Sequence, residues 1–166
     1  MAINKFWYVV MLAVLVMGAS VWVGLHPKRL QPIPMITAAP QPQGQPMLPI
    51  KQITVGNTLV AAEIADTSQE QVSGLSGRAS LAEGTGMLFI FPHATEIGFW
   101  MKDMLFPIDM IFADATGTIV TIAANAQPSS YPDIFNPTKP AKYVLEVPAG
   151  FAVIHGIAAG QKIVLQ

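Results

Sequence analysis

The sequence contains no cysteine, so it offers no disulfide, no thiolate nucleophile or metal ligand, and no thiol to carry a lipid. Charge is scarce too. Asp, Glu, Lys and Arg make up 11% of the chain, against about 25% in an average globular protein. With 52% hydrophobic residues, this shortage excludes a highly charged disordered chain and directs attention to membranes. Several catalytic patterns are missing as well. There is no glycine-rich phosphate loop, and "SGLSGR" (73–78) lacks the spacing of a nucleophile elbow. His93 and His155 stand apart from each other near turn residues, where a solvated or capping role suits them better than metal ligation. The sequence therefore implies neither a metal nor another cofactor.

What is present begins with "FWYVVMLAVLVMGASVWVGL", residues 6–25, twenty residues without a formal charge. That is about the length a helix needs to cross the hydrocarbon core. Trp7, Tyr8 and Trp22 lie near its ends, at the depth amphipathic rings favour. A cleaved signal peptide, with secretion of the rest, is the alternative for residues 1–26. Its apolar region is usually only about 7–15 residues long and ends at an A-x-A-like site, and this run is longer with poor candidate sites. The reading is an uncleaved transmembrane helix that leaves the rest outside the cytoplasm, periplasmic or extracellular. Lys5 on one side and Lys28 and Arg29 on the other do not fix the orientation by charge, and the short N-terminal tail favours N-inside.

Residues 27–49 hold seven prolines among repeated glutamines, a composition that lacks apolar periodicity and forms semi-rigid extended spacers. Residues 50–166 then make one domain, long enough to bury its own core. Six Lys or Arg against ten Asp or Glu give it a net charge of −4. An acidic domain with scattered cations lacks the electrostatic footprint for nucleic acid.

"IKQITV" and "TLVAAEIA" flank Gly56-Asn57 as a hairpin. Thr67 and Glu70 have capping-box spacing for a short helix that Gly74 and Gly77 end. "GMLFIF" (86–91) reads as a buried strand and "IGFWMK" (97–102) as its antiparallel neighbour. "IDMIFADATGTIVTIAAN" (108–125) is the clearest hairpin, with Gly117 where the turn wants a left-handed residue. A loop over 127–140, the strand "AKYVLEV", one helical turn and a last strand complete the chain. Many short strands and brief helices predict a mainly β, compact single domain, a β-sandwich or partly closed barrel with one or two short helices.

"GLSGR" (74–78), "GMLFIF" (86–91), "FWMKDMLFPIDMIF" (99–112) and "YVLEVPAG" (143–150) resemble the successive signatures of the domain of unknown function family 192, a bacterial and archaeal family often secreted or membrane-tethered. The resemblance runs from about residue 55 to the end and implies a compact, mainly β single domain without an assigned reaction. Asp103 and Met104 depart from it, standing where asparagine and threonine are usual.

Strand alternation gives the charged residues of these segments their interest. Asp109 shares a strand face with Ile111, and Glu146 with Val144, so both carboxylates are expected to be partly buried. Buried carboxylates need cations or several donors, and Arg78 and Lys102 are the candidates. One reading makes Arg78, Lys102, Asp109 and Glu146 an architectural ion-pair network. A second places them with Trp100 in a polar-aromatic pocket for a small polar ligand such as a sugar. A third uses Asp109 and Glu146 as the acid and base of a hydrolase, which requires them about 5–10 Å apart. The 127–140 loop, with Tyr131 and Phe135, reads either as a lid or an arm for docking another envelope protein, or as a surface excursion whose two aromatics pack back onto the sheet. The overall expectation is a membrane-tethered, envelope-associated binding module.

Overall fold

A computed structural model describes residues 47–166 of the chain. The expected membrane anchor (6–25) and almost all of the proline-rich spacer lie outside the described residues. Among the described residues no helix is long and apolar enough to cross a membrane.

Seven strands form one sheet: β1 (Ile50–Val55), β2 (Thr58–Ala65), β3 (Thr85–Thr95), β4 (Ile108–Ala113), β5 (Ile119–Ala126), β6 (Ala141–Pro148) and β7 (Ile163–Leu165). Their order is β5-β4-β6-β3-β2-β1-β7, and the sheet curls into a half-barrel. Two short helices accompany it, α1 (Ser68–Ser73) and α2 (Phe151–Ile154). The expected β domain with brief helices is what forms, as a half-barrel rather than two stacked sheets.

Local chemistry explains the elements read from sequence. The β1–β2 hairpin turns at Gly56-Asn57, pairing Val55 with Thr58. The β4–β5 turn needs Gly117 on two counts. Its φ is +76°, and a Cβ there would lie 2.4 Å from the Ile163 carbonyl oxygen. Thr67 caps α1 by accepting from the Glu70 N–H at 3.3 Å, while the Glu70 carboxylate accepts from the Thr67 N–H at 3.0 Å. This reciprocal box satisfies two otherwise orphaned donors.

One expected strand does not form. Residues 97–102 are not paired along β3, whose own strand runs past Pro92 to Thr95. Instead residues 96–107 carry the chain from β3 to β4, which are separated in the sheet by β6. Among the described residues, the segment forms a β-bridge only at Phe99, which exchanges hydrogen bonds of 2.9 and 2.7 Å with Phe135. Gly98 makes this possible, because a Cβ there would stand 2.3 Å from Ile134 Cγ2.

The two faces of the sheet bury separate cores. On one, Val60, Ala62, Ile64, Leu88, Ile111, Leu145 and Val147 gather with Phe151 and Ala152 of α2. On the other, Met87, Phe89, Met110, Phe112 and Val144 lie under Leu75, Met101 and Met104. The second cover comes from two crossovers. β2 and β3 are parallel, so the chain must return between them by a long connection. That connection, residues 66–84, contains α1, and with residues 96–107 it roofs this face.

Candidate functional site

Asp109 and Glu146 lie on opposite faces of the sheet. Across the β4–β6 ladder Asp109 pairs with Val147, and Glu146 with Met110, so alternation sends the two side chains in opposite directions. The acid/base pair envisaged for hydrolysis is therefore not assembled. The two carboxylates have different surroundings as well.

Asp109 is 0% exposed and is filled with backbone donors. Its Oδ1 accepts from the Asn125 N–H at 2.7 Å and the Gly150 N–H at 3.1 Å. Its Oδ2 accepts from the Ala152 N–H at 2.8 Å. The β5 register shifts opposite Asp109, with Ile108 facing Ala126 and Met110 facing Ala123. Asn125 in this bulge takes φ +54°, which turns its N–H toward the carboxylate. Asp109 thus fastens β4 to β5 and to the start of α2, a structural role.

Lys102 does not serve either carboxylate. Its side chain is 50% exposed, and its partner is the neighbouring Asp103, at 3.1 Å. Such a surface pair adds little stability. Asp103 faces solvent, and its φ of +57° falls in the left-handed region that aspartate and asparagine tolerate better than other residues. The Gly77 N–H donates to the Asp103 carbonyl at 2.8 Å and the Ser76 hydroxyl to the Lys102 carbonyl at 3.0 Å. These bonds clamp "GLSGR" to the "MKD" corner.

Arg78 is buried and takes as its carboxylate Glu63 of β2, a residue the sequence reading did not single out. The guanidinium makes a bidentate pair with it, Nη1 to Oε1 at 2.5 Å and Nη2 to Oε2 at 2.8 Å. The signal for Glu63 is present in "TLVAAEIA". It shares its strand face with Ala61 and Ala65, small residues that leave room for an arginine. Glu63, Met87, Glu146 and Met110 form one row across the sheet, so Arg78 also acts electrostatically on Glu146.

Glu146 looks into a cavity of about 320 Å³ between the sheet, α1 and the 96–107 crossover. Phe89, Phe91, Phe99 and Trp100 supply aromatic surface, and Gln71 and Ser76 are among the polar groups at its border. Phe99 is the centre of the aromatic cluster, edge-to-face with Phe89, Phe91 and Phe112 at centroid distances of 5.0, 6.3 and 5.8 Å. Trp100 lines the cavity while remaining 54% exposed. It meets Tyr131 edge-to-face at 6.2 Å. Phe135, from the same loop, packs against the core. The 127–140 loop therefore braces the outer side of the crossover, with Tyr131 and Ile134 left exposed.

Glu146 is only 5% exposed. Burial pushes its pKa up to about 8, against a smaller downward pull from Arg78. The cavity floor therefore carries a carboxyl group that is mostly protonated at neutral pH. Of the five residues expected at the site, Trp100 and Glu146 line the cavity and Arg78 stands behind Glu146. Lys102 and Asp109 lie elsewhere.

A half-barrel with an aromatic-walled cavity holding one buried carboxyl group defines the class of domain. The chain belongs to the domain of unknown function family 192, described as an uncharacterized ACR, whose model matches residues 51–165. Among solved structures it is similar to a protein of unknown function from Novosphingobium aromaticivorans DSM 12444. The two are 33% identical over 70% of this chain and 85% of that one, with a TM-score of 0.67. A second similar structure, from Sinorhizobium meliloti 1021, is of a protein whose description suggests a transcription regulator. It is 30% identical over 74% of this chain and 98% of that one, with a TM-score of 0.69. No curated protein matches the chain.

Proposed function

We propose that the chain is a membrane-tethered, extracytoplasmic binding module whose ligand enters the cavity beneath α1 and the 96–107 crossover. One observation carries this reading: a concave, mainly apolar site with a single buried carboxyl group directed into it. Small-molecule sites combine such walls with a few placed polar groups, and an ionisable carboxyl group kept buried costs stability, as groups retained for function often do. The tether is the twenty-residue uncharged run at 6–25, followed by a proline-rich spacer. Hydrolysis is not proposed, because the roles of Asp109 and Glu146 are separated by the sheet. The regulatory role suggested for the Sinorhizobium protein is not carried over. A net charge of −4 over residues 50–166 has the wrong sign for phosphate contacts.

The test is a ligand-observed NMR screen of small polar and amphipathic compounds against the full chain, repeated with Trp100→Ala. Saturable binders that weaken at least tenfold in the variant are expected. The unfolding midpoint should change little, since Trp100 is half exposed. Absence of any binder, or binders indifferent to both Trp100→Ala and Glu146→Gln, would remove the binding reading.

A further inference from the structure

We propose that the cavity takes a small organic cation, an alkylated ammonium group, with Glu146 as its counter-charge and the rings of Phe89, Phe91, Phe99 and Trp100 as its wall. The inference rests on the binding reading above and names the ligand class for the same site.

Three features point to a cation rather than a neutral or anionic guest. The first is the charge balance beneath the cavity. Glu63 and Arg78 neutralise each other in a bidentate pair, so ionised Glu146 adds one negative charge with no cation of its own. The second is the set of groups around Glu146. β3 and β4 present Met87 and Met110 beside it. α1 contributes Ser68, Gln71 and Val72 to the lining, and the crossover contributes Ile97, Gly98, Phe99, Trp100 and Met104. None of these is titratable. Glu63 and Arg78 are the charged groups packed nearby, and neither lines the cavity. The third is the aromatic wall, because the negative faces of such rings attract cations, most strongly where water is excluded, and quaternary ammonium groups are the ligands typically held this way.

The raised pKa of Glu146 then has a consequence for binding. With the cavity empty, the group holds its proton up to about pH 8. A cation favours the ionised form and expels that proton as it enters. Affinity should therefore rise by about tenfold per pH unit below 8 and level off above it.

Isothermal titration of the full chain with choline tests this, beside the neutral isostere in which a quaternary carbon replaces the nitrogen. Both are run at pH 6, 7 and 9, in buffers of different ionisation enthalpy. Expected are saturable choline binding, close to one proton released at pH 7, and the stated pH profile. Glu146→Gln should weaken choline at least tenfold and flatten the profile while leaving the isostere's affinity unchanged, which also shows that the variant is folded. If the isostere binds as well as choline without pH dependence, the cavity is a binding site but the cation assignment is wrong. If neither compound binds while the broader screen finds Trp100-dependent ligands, the cation assignment again falls alone. If that screen is empty as well, both readings fall.

Discussion

Asp109 and Glu146 sit on adjacent strands, both buried, yet one is saturated with three backbone amides and the other looks into a mainly apolar cavity. Their substitutions should therefore move stability in opposite directions at alkaline pH. Asp109→Asn puts an amide donor where N–H groups already point, in a place closed to water. A loss of about 3 kcal/mol is expected at neutral pH, read by denaturant unfolding. Glu146→Gln follows the opposite logic. The folded-state pKa of about 8 lies above the ordinary 4.5, so the native state binds the proton more tightly than the unfolded chain. Its contribution is complete below pH 4.5 and is lost as pH rises through 8. The parent should lose stability over that window by an amount on the order of a few kcal/mol. The glutamine variant should lack this slope and overtake the parent at the alkaline end. Parallel pH profiles for parent and glutamine variant would show that Glu146 is not held protonated by the fold. Strand alternation in the sequence was enough to mark both carboxylates as at least partly buried. It did not reveal that they face apart, because that depends on Met110 rather than Asp109 lying opposite Glu146, a one-residue register that no local pattern encodes.

Elements whose signals are local were legible. The Thr67–Glu70 box, the β4–β5 turn at Gly117 and the alternating strands each carry their cause within a few residues. The 96–107 segment was not, since its apolar character reads as a strand while its partners, Phe135 and Ile134, come from a distant loop. Glu63 was missed for the same reason: its cation, Arg78, arrives through the β2–β3 crossover. The function of α1 also emerges only in three dimensions. It is a two-turn helix with no buried residue of its own, held by its cap and by the Gln71 side chain, which donates to the Ile90 carbonyl at 2.9 Å. It nevertheless forms a wall of the cavity. Thr67→Ala should cost about 1 kcal/mol of helix stability. The effect belongs mainly to this wall rather than to the sheet, so hydrogen exchange should quicken in residues 68–74 while β3 and β6 amides keep their protection. Uniform loss of protection would mean that α1 is an integral part of the global fold.

At the scale of the molecule, the strand order is the feature furthest from the sequence, because β6 inserts between β3 and β4 after both have been made. That insertion forces residues 96–107 to cross over β6, and the crossover creates the roof beneath which Glu146 lies. The same view separates the domain from what precedes it. Residues 1–46 precede the family-matched domain, residues 51–165. Their sequence pairs an uncharged twenty-residue run with prolines, and we propose that they hold the cavity at a membrane surface. In a Gram-negative host, the full chain should sediment with membranes, resist extraction by high salt and alkaline carbonate, and dissolve in detergent. Without residues 1–26 it should remain in the soluble fraction. Protease added outside spheroplasts should digest the domain of the full chain. Protection from protease would reverse the orientation, and a shortened soluble product from the full-length gene would establish cleavage and release. In the first outcome the run is still an anchor but the cavity meets the cytoplasmic pool of ligands, and in the second a fixed anchor would no longer explain the long apolar run.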